Sequence, residues 1–287
     1  MRRRSWLGVG FALVLALTAC KGPGDGTGGG GRRDEGEPRR ITVFAAASLR
    51  DALTAANERF RQQTGVEVLA NFAGSNVLAQ QIIAAGKADV FVSADESWMN
   101  RVDEAGRIEH GTRAALLSNA LVVVANHAMA LQILGPQDLC TAPFRYLSIG
   151  NPEAVPEGRY ARRWMQSVDC AGTTLWDRVK DRVAPAMDAP SALGQVESNE
   201  QAVGVLYRTD AVKSQRIKPL FDVTGSGAPH IVYIGAAVKG RPNPKIALEY
   251  LTFLQGETAG AVFMRAGFLR PEPESAAAPT SPTPTVP

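Results

Sequence analysis

Two serines carry the chemistry that this chain presents most clearly. Ser48 ends the run ITVFAAAS and is followed by LRDAL, and Ser75 ends VEVLANFAGS and is followed by NVLAQQII. In both places a β-type run gives way to small residues, a serine and a helical pattern. The hydroxyl then sits beside the unpaired N–H groups and the partial positive charge of a helix N-terminus. Hydroxyls and amides at such a corner can donate to an oxyanion, and the small residues let a ligand approach the backbone. An ordinary capped helix needs the same residues. On that reading Ser48 is an N-cap with Asp51 as a partial capping box, and Ser75 is a second cap.

Other chemistry-bearing residues point less far. Asp89, Asp95 and Glu96 cluster in DVFVSADE. An exported hydrolase or transferase would need two such carboxylates facing a cleft with separated pKa values. Asp95 also fits as the cap of a helix beginning at Glu96, with Trp98, Val102 and Ala105 on its apolar face. Arg159, Arg162 and Arg163 read either as an anion clamp or as a solvated helix face with Trp164 turned inward. His110, His127 and His230 have no zinc-type spacing, and the chain holds no P-loop, G-x-S-x-G elbow or complete G-x-G-x-x-G. No direct cation ligand and no cofactor are expected.

The elements that must position these residues alternate. Strand patterns cover Ile41–Ala45, Val66–Ala70, Asp89–Ser93, Ala120–Ala125, Leu147–Gly150, Val203–Tyr207 and His230–Val238. Helical patterns cover Leu49–Gln63, Val77–Ala85, Glu96–Ala105, Arg159–Val168, Ser191–Asn199 and Lys245–Leu254. This α/β alternation predicts parallel sheets covered by helices. Both serine corners then fall at carboxyl ends of strands, the edge where open α/β sheets bind ligands. The long apolar strands Leu121–Ala125 and Ile231–Val238 fit as crossings between two lobes, although a single α/β domain fits the alternation too.

The ends of the chain read differently from its middle. Arg2–Arg4 followed by an apolar stretch from Trp6 to Ala19 form an export signal, too short for a membrane span. It ends in Leu17-Thr-Ala-Cys20, which resembles a bacterial lipobox with Cys20 as the lipidated residue; a plain signal cut after Ala19 is the alternative. Residues 21–40 are rich in Gly and charge and read as a flexible linker, and 271–287 as a disordered Pro/Ala/Ser/Thr tail. The formal net charge is +3, and the arginines of the signal account for it, so no basic surface for nucleic acid is implied. Cys140 and Cys170 remain as a possible disulfide in an oxidising compartment or as two buried thiols.

The segments ITVFAAASLRDAL, FAGSNVLAQQI, ADVFVSADESWM, NALVVVAN, NPEAVPEGRYA and SNEQAVGVLYRTDAV together resemble the periplasmic molybdate-binding proteins of ABC importers, over about residues 41–268. The resemblance implies a two-lobed class II periplasmic-binding fold, with 41–121 plus 230–270 as the first lobe and 122–229 as the second. It implies a receptor, without catalysis of its own, that takes molybdate or tungstate between its lobes and passes it to membrane permease subunits; a monomer is the default expectation. Position by position, it carries the hydroxyl donors onto Ser48, Ser75 and Tyr207. Backbone N–H donors fall at Glu157 and at Ala189, just ahead of Pro190. The residue at 157 is commonly small in the family; a glutamate beside a dianion is expected to turn its side chain outward.

Physical chemistry agrees with that donor set. Molybdate and sulfate are fully deprotonated near neutral pH and need donors only. Each charge-assisted hydrogen bond contributes about 1.5–3 kcal/mol. Sulfate is the smaller tetrahedron, so its exclusion would come from cavity size; molybdate and tungstate are nearly equal. Phosphate keeps a proton and wants a carboxylate acceptor. No aspartate lies at either serine corner, and Glu157 is the one residue that keeps phosphate open; the alternative receptor of the same fold is one for sulfate or phosphate.

Overall fold

The computed structural model describes residues 39–271. The signal segment with Cys20, the linker up to residue 38 and the tail beyond Pro271 lie outside the described residues. The strands are β1 (Arg40–Ala46), β2 (Glu67–Ala73), β3 (Val90–Ser93), β4 (Ala114–Asn119), β5 (Leu121–Asn126), β6 (Tyr146–Gly150), β7 (Val183–Ala186), β8 (Ala202–Tyr207), β9 (Ile217–Asp222) and β10 (Ile231–Ala237). The helices are α1 (Arg50–Thr64), α2 (Ser75–Ala85), α3 (Glu96–Glu104), α4 (Pro156–Ser167), α5 (Leu175–Val179), α6 (Ala189–Ser198), α7 (Arg208–Ala211), α8 (Pro244–Gln255) and α9 (Glu257–Arg265). Arg40, at the end of the expected linker, already belongs to β1.

Two sheets result, ordered β2-β1-β3-β10-β4 and β7-β6-β8-β5-β9. β1 pairs parallel with β2 and β3, and β6 parallel with β7 and β8. β10 is antiparallel to β3 and β4, and β5 antiparallel to β8 and β9. The sheets are therefore mixed, where strand–helix alternation predicts parallel ones. The reversed strands are those that arrive from the other sheet. Only Ala120 separates β4 from β5, and the chain returns between β9 and β10. Neither strand has come through a helical crossover, so the parallel βαβ rule does not bind it.

The strands that periodicity does not reveal are β4, β7 and β9, and all three are edge strands. Pro185 in β7 and Pro219 in β9 suit an edge, where a missing ladder N–H costs little. The short helices α5 and α7 also escape the pattern, and so does α9, which Gly256 separates from α8. By contrast β3, β5, β8 and β10 are buried along their whole length and read as apolar runs.

Helices cover both faces of each sheet. On the first, Leu78, Ile82, Trp98, Met99 and Val102 of α2 and α3 pack on Phe44, Phe91 and Ile234. Ala105 is exposed, and Met99 takes the place expected for it on the apolar face of α3. On its other face Phe60 of α1 meets Tyr250 and Phe253 of α8, ring centroids 5.1 Å apart in both pairs. On the second sheet, Ala192 and Val196 of α6 cover one face. Cys140 and Cys170 form a disulfide, Cα atoms 5.7 Å apart, that ties the 3-10 turn Pro136–Cys140 to the segment between α4 and α5.

Candidate functional site

The carboxyl ends of β1 and β3 face the N-termini of α4 and α6 across a small cavity. Ser48, Gly74, Ser75 and Ala94 line it from the first lobe; Pro156, Glu157, Ala189 and Tyr207 line it from the second. The space open to a water centre is about 10 Å³, about what a single water needs. Every residue expected to hold an oxyanion borders this one cavity, and its lining includes no lysine or arginine.

Neither serine caps its helix as expected. Ser48 lies inside a 3-10 turn, Ala47–Leu49, that precedes α1, and Leu49 occupies the cap position. Asp51 pairs instead with Lys213, at 2.8 Å. Ser75 is the first residue of α2, with Gly74 at the cap. Their hydroxyls are therefore free of the backbone they were expected to satisfy. Ser75 Oγ accepts the Ala94 N–H at 3.0 Å, and Ser48 Oγ lies 3.0 Å from the Tyr233 hydroxyl. Asn119 Nδ2 donates to that same phenol at 3.2 Å. The Ala120 N–H, held by Asn119 Oδ1, fixes which way the amide points. With its oxygen already accepting, Tyr233 can give its hydrogen to Ser48. Both serine oxygens then accept from the protein, and both serine hydrogens are left for a guest.

The second lobe supplies amides and a phenol. Val155 precedes α4 in an extended conformation, with Pro156 at its first position, so the Glu157 N–H is one of the unpaired donors of the first turn. Gly158 makes this placement possible: a Cβ there would overlap the Gly150 carbonyl oxygen at the end of β6. Asp188 caps α6 through the Ser191 N–H at 2.9 Å, which leaves Ala189 at the first helical position with Pro190 after it. Tyr207 ends β8, is 1% exposed, and its hydroxyl has no partner. Burial holds that phenol well above its usual pKa, so it stays a donor.

One expectation fails outright. The Glu157 side chain does not turn outward; it is 0% exposed, and its Oε2 accepts the Gly150 N–H at 2.5 Å. The tight seating of Gly158 on Gly150 directs the neighbouring side chain inward. Burial pushes the Glu157 carboxyl well above the ordinary range. The acidic cluster is not assembled into a dyad either. Asp89 accepts from Thr42 N–H and Arg241 at the far end of β3, Asp95 caps α3 through the Trp98 N–H, and Glu96 is exposed. The three histidines are exposed as well, and no cluster of metal-ligating side chains occurs among the described residues.

A family model for bacterial extracellular solute-binding proteins matches residues 41–269. The chain belongs to that family. It is 35% identical to the molybdate-binding protein ModA of Escherichia coli (strain K12), over 92% of this chain and 98% of that one. Its structure superposes on the periplasmic molybdate-binding protein of Azotobacter vinelandii with a TM-score of 0.71 at 22% identity, covering 81% of this chain and 100% of that one. The sulfate-binding protein SubI of Mycobacterium tuberculosis gives 0.70 at 17% identity, covering 80% and 86%. The fold is thus the two-lobed periplasmic-binding fold, and the fold alone does not name the solute.

In this solute-binding protein the lobes are clasped beside the cavity. Arg159 of α4 reaches Asp95 at 3.1 Å and also bonds Ser97; Trp98 Nε1 donates to the Ala154 carbonyl at 2.8 Å. Arg159 is therefore no part of a solvated basic face, though Trp164 is buried as expected. Opening the lobes must break these contacts. Arg159→Ala is expected to weaken solute binding by about 1 kcal/mol, roughly fivefold, because the closed state loses a partly buried pair. Titration calorimetry checks this, and an unchanged affinity would remove the clasp from the closure energetics.

Sequence reasoning passed over Tyr233, Asn119 and Asp210. Tyr233 is the one aromatic side chain in the apolar run of β10, a signal that means little until its partners are known. Asp210, 4% exposed in α7, is raised to about 7 by burial, with Lys213 at 3.9 Å opposing. Its folded value exceeds its unfolded value near 4, so the stability it contributes is complete below about pH 4 and lost as pH rises through about 7. Denaturant titrations should therefore show Asp210→Asn gaining on the native protein across that window, and parallel profiles would exclude this titration.

Proposed function

We propose that the protein is the extracytoplasmic receptor of an ABC importer for molybdate and tungstate. The observation that carries this reading is a cavity where hydroxyl and amide donors converge without a lysine or arginine. Two serine hydroxyls whose oxygens are already satisfied face an unpartnered phenol and the amides of Glu157 and Ala189. Such a site suits a small, fully deprotonated oxyanion without any basic counter-charge. The Escherichia coli relative, a molybdate-binding protein matched along nearly its whole length, supports molybdate as the guest. The lobes close on the ion by population shift, and the closed surface is what the permease subunits recognise. The receptor acts as a monomer, performs no catalysis, and is tethered to the membrane through a lipid on Cys20.

Calorimetric titration of the purified protein with molybdate, tungstate, sulfate and phosphate in separate runs tests the proposal. One-to-one binding of molybdate and tungstate at least a hundredfold tighter than sulfate and phosphate is expected. One observation favours a second reading: a buried carboxyl stands in the cavity wall at Glu157. If it were ionised it would accept a hydrogen bond from the hydroxyl of hydrogen phosphate, and phosphate would then be the tightest of the four.

A further inference from the structure

Anion binding as proposed uses only the N–H of Glu157 and gives its side chain no role; any role for that side chain rests on the same anion-binding reading. The carboxyl is sealed from solvent at the mouth of α4. Oε2 takes the Gly150 N–H, and Oε1 has no hydrogen-bond partner. The groups that act on it electrostatically come from three elements. β6 contributes the Gly150 amide, β8 the Tyr207 phenol, and α7 the carboxyl of Asp210. None is a cation. Arg159, two residues along the same helix, is held by Asp95, and Lys213 serves Asp51 and Asp210. Asp188, the other acid lining the cavity, is occupied in capping α6.

An ionised carboxylate here would be buried without a counter-ion, within the field of the Asp210 carboxyl and then beside a dianion. Each of these favours the neutral acid. A neutral acid that accepts the Gly150 N–H through one oxygen has one hydroxyl left to give, on the other. We propose that Glu157 takes part in anion capture as a protonated carboxylic acid, its Oε1 hydroxyl donating to the bound oxyanion, so that capture is coupled to holding one proton at this side chain. The receptor then selects a fully deprotonated oxyanion through a residue that, if ionised, would reject it. A bound dianion raises the affinity of Glu157 for its proton, so binding takes up a proton wherever the empty site has begun to lose it. Affinity falls as pH rises through that window.

The test uses the full chain and sodium molybdate, titrated from about pH 6.5 to about pH 10 in pairs of buffers with different ionisation heats, which reads proton uptake directly. The native protein should lose affinity toward the alkaline end by up to about tenfold per pH unit, with uptake approaching one proton per anion. Glu157→Gln keeps an acceptor for Gly150 and a donor for the anion, and should bind with a flat profile and no uptake. Glu157→Ala, which keeps neither, should bind at least tenfold more weakly than Glu157→Gln. Asp210→Asn removes the neighbouring carboxyl and should preserve the alkaline loss. Identical pH profiles for the native protein and Glu157→Gln would overturn the inference, as would affinity that rises with pH or full affinity in Glu157→Ala. Hydrogen phosphate outcompeting molybdate would do so too, because it requires the ionised form. Absence of molybdate binding in every variant at every pH is a different result: it removes the anion-binding reading itself, and the inference with it.

Discussion

Ser48→Ala and Ser75→Ala are each expected to weaken molybdate binding by about 1–3 kcal/mol, roughly fivefold to more than a hundredfold, with the fold retained. Each hydroxyl meets the cavity with its hydrogen free, because its oxygen is engaged by Tyr233 in one case and by the Ala94 N–H in the other. Truncation removes a donor from the anion and also strands the protein donor behind it. A modest drop in thermal stability should therefore accompany the lost affinity, on the order of 1 kcal/mol for each variant. The two losses need not add, since both hydroxyls act on one ion. Tyr233→Phe offers a separate check on the arrangement. It leaves Ser48 in place but lets its hydroxyl turn toward other acceptors, so it should weaken binding less than Ser48→Ala does. Calorimetry and thermal melts read all three, and native affinity in both serine variants would remove the core of the binding argument.

The second large effect concerns stability rather than binding. Replacing Cys140 and Cys170 by serine is expected to cost about 2–4 kcal/mol, since the bridge closes a loop across a sequence separation of 30. The bridge restrains the second lobe alone, and neither cysteine lines the cavity. Molybdate affinity should thus survive at temperatures where the variant remains folded. Denaturant titration of the native protein with and without reductant gives the same comparison without mutation. An unchanged midpoint would show that packing around Cys170, not the covalent link, holds this segment.

Much of the site could be read locally. A strand, small residues, a serine and the start of a helix are consecutive in the chain, so both serine corners were legible without knowing the fold. The same holds for Asp95 as the cap of α3, and for Pro190 in the first turn of α6. Tyr207 and the two amides came through the family resemblance and not through any pattern in their own neighbourhoods. What the hydroxyls do there was not legible. Ser48 looks like a cap until the 3-10 turn is seen, and the partner that replaces its capping role lies 185 residues away. The edge strands β7 and β9 were hidden because proline and polar residues are tolerated where only one neighbour must be hydrogen-bonded.

Glu157 shows most sharply where local reasoning stops. Like-charge repulsion from a bound dianion argues for an outward side chain, and that argument assumes an ionised carboxylate. In the folded protein Gly158 seats α4 against Gly150, the glutamate is turned into the wall, and burial favours its neutral form. The sequence by itself determined the alternation of strands and helices, the serine corners and the absence of a basic anion clamp at those corners, because each depends on residues close in the chain. The tertiary structure alone decided the direction of β5 and β10, the Arg159–Asp95 clasp, the hydrogen-bond polarity of the serines and the burial of Glu157. Each of these depends on groups brought together from distant segments, and burial and partner geometry, which set protonation and donor direction, exist only once those segments pack.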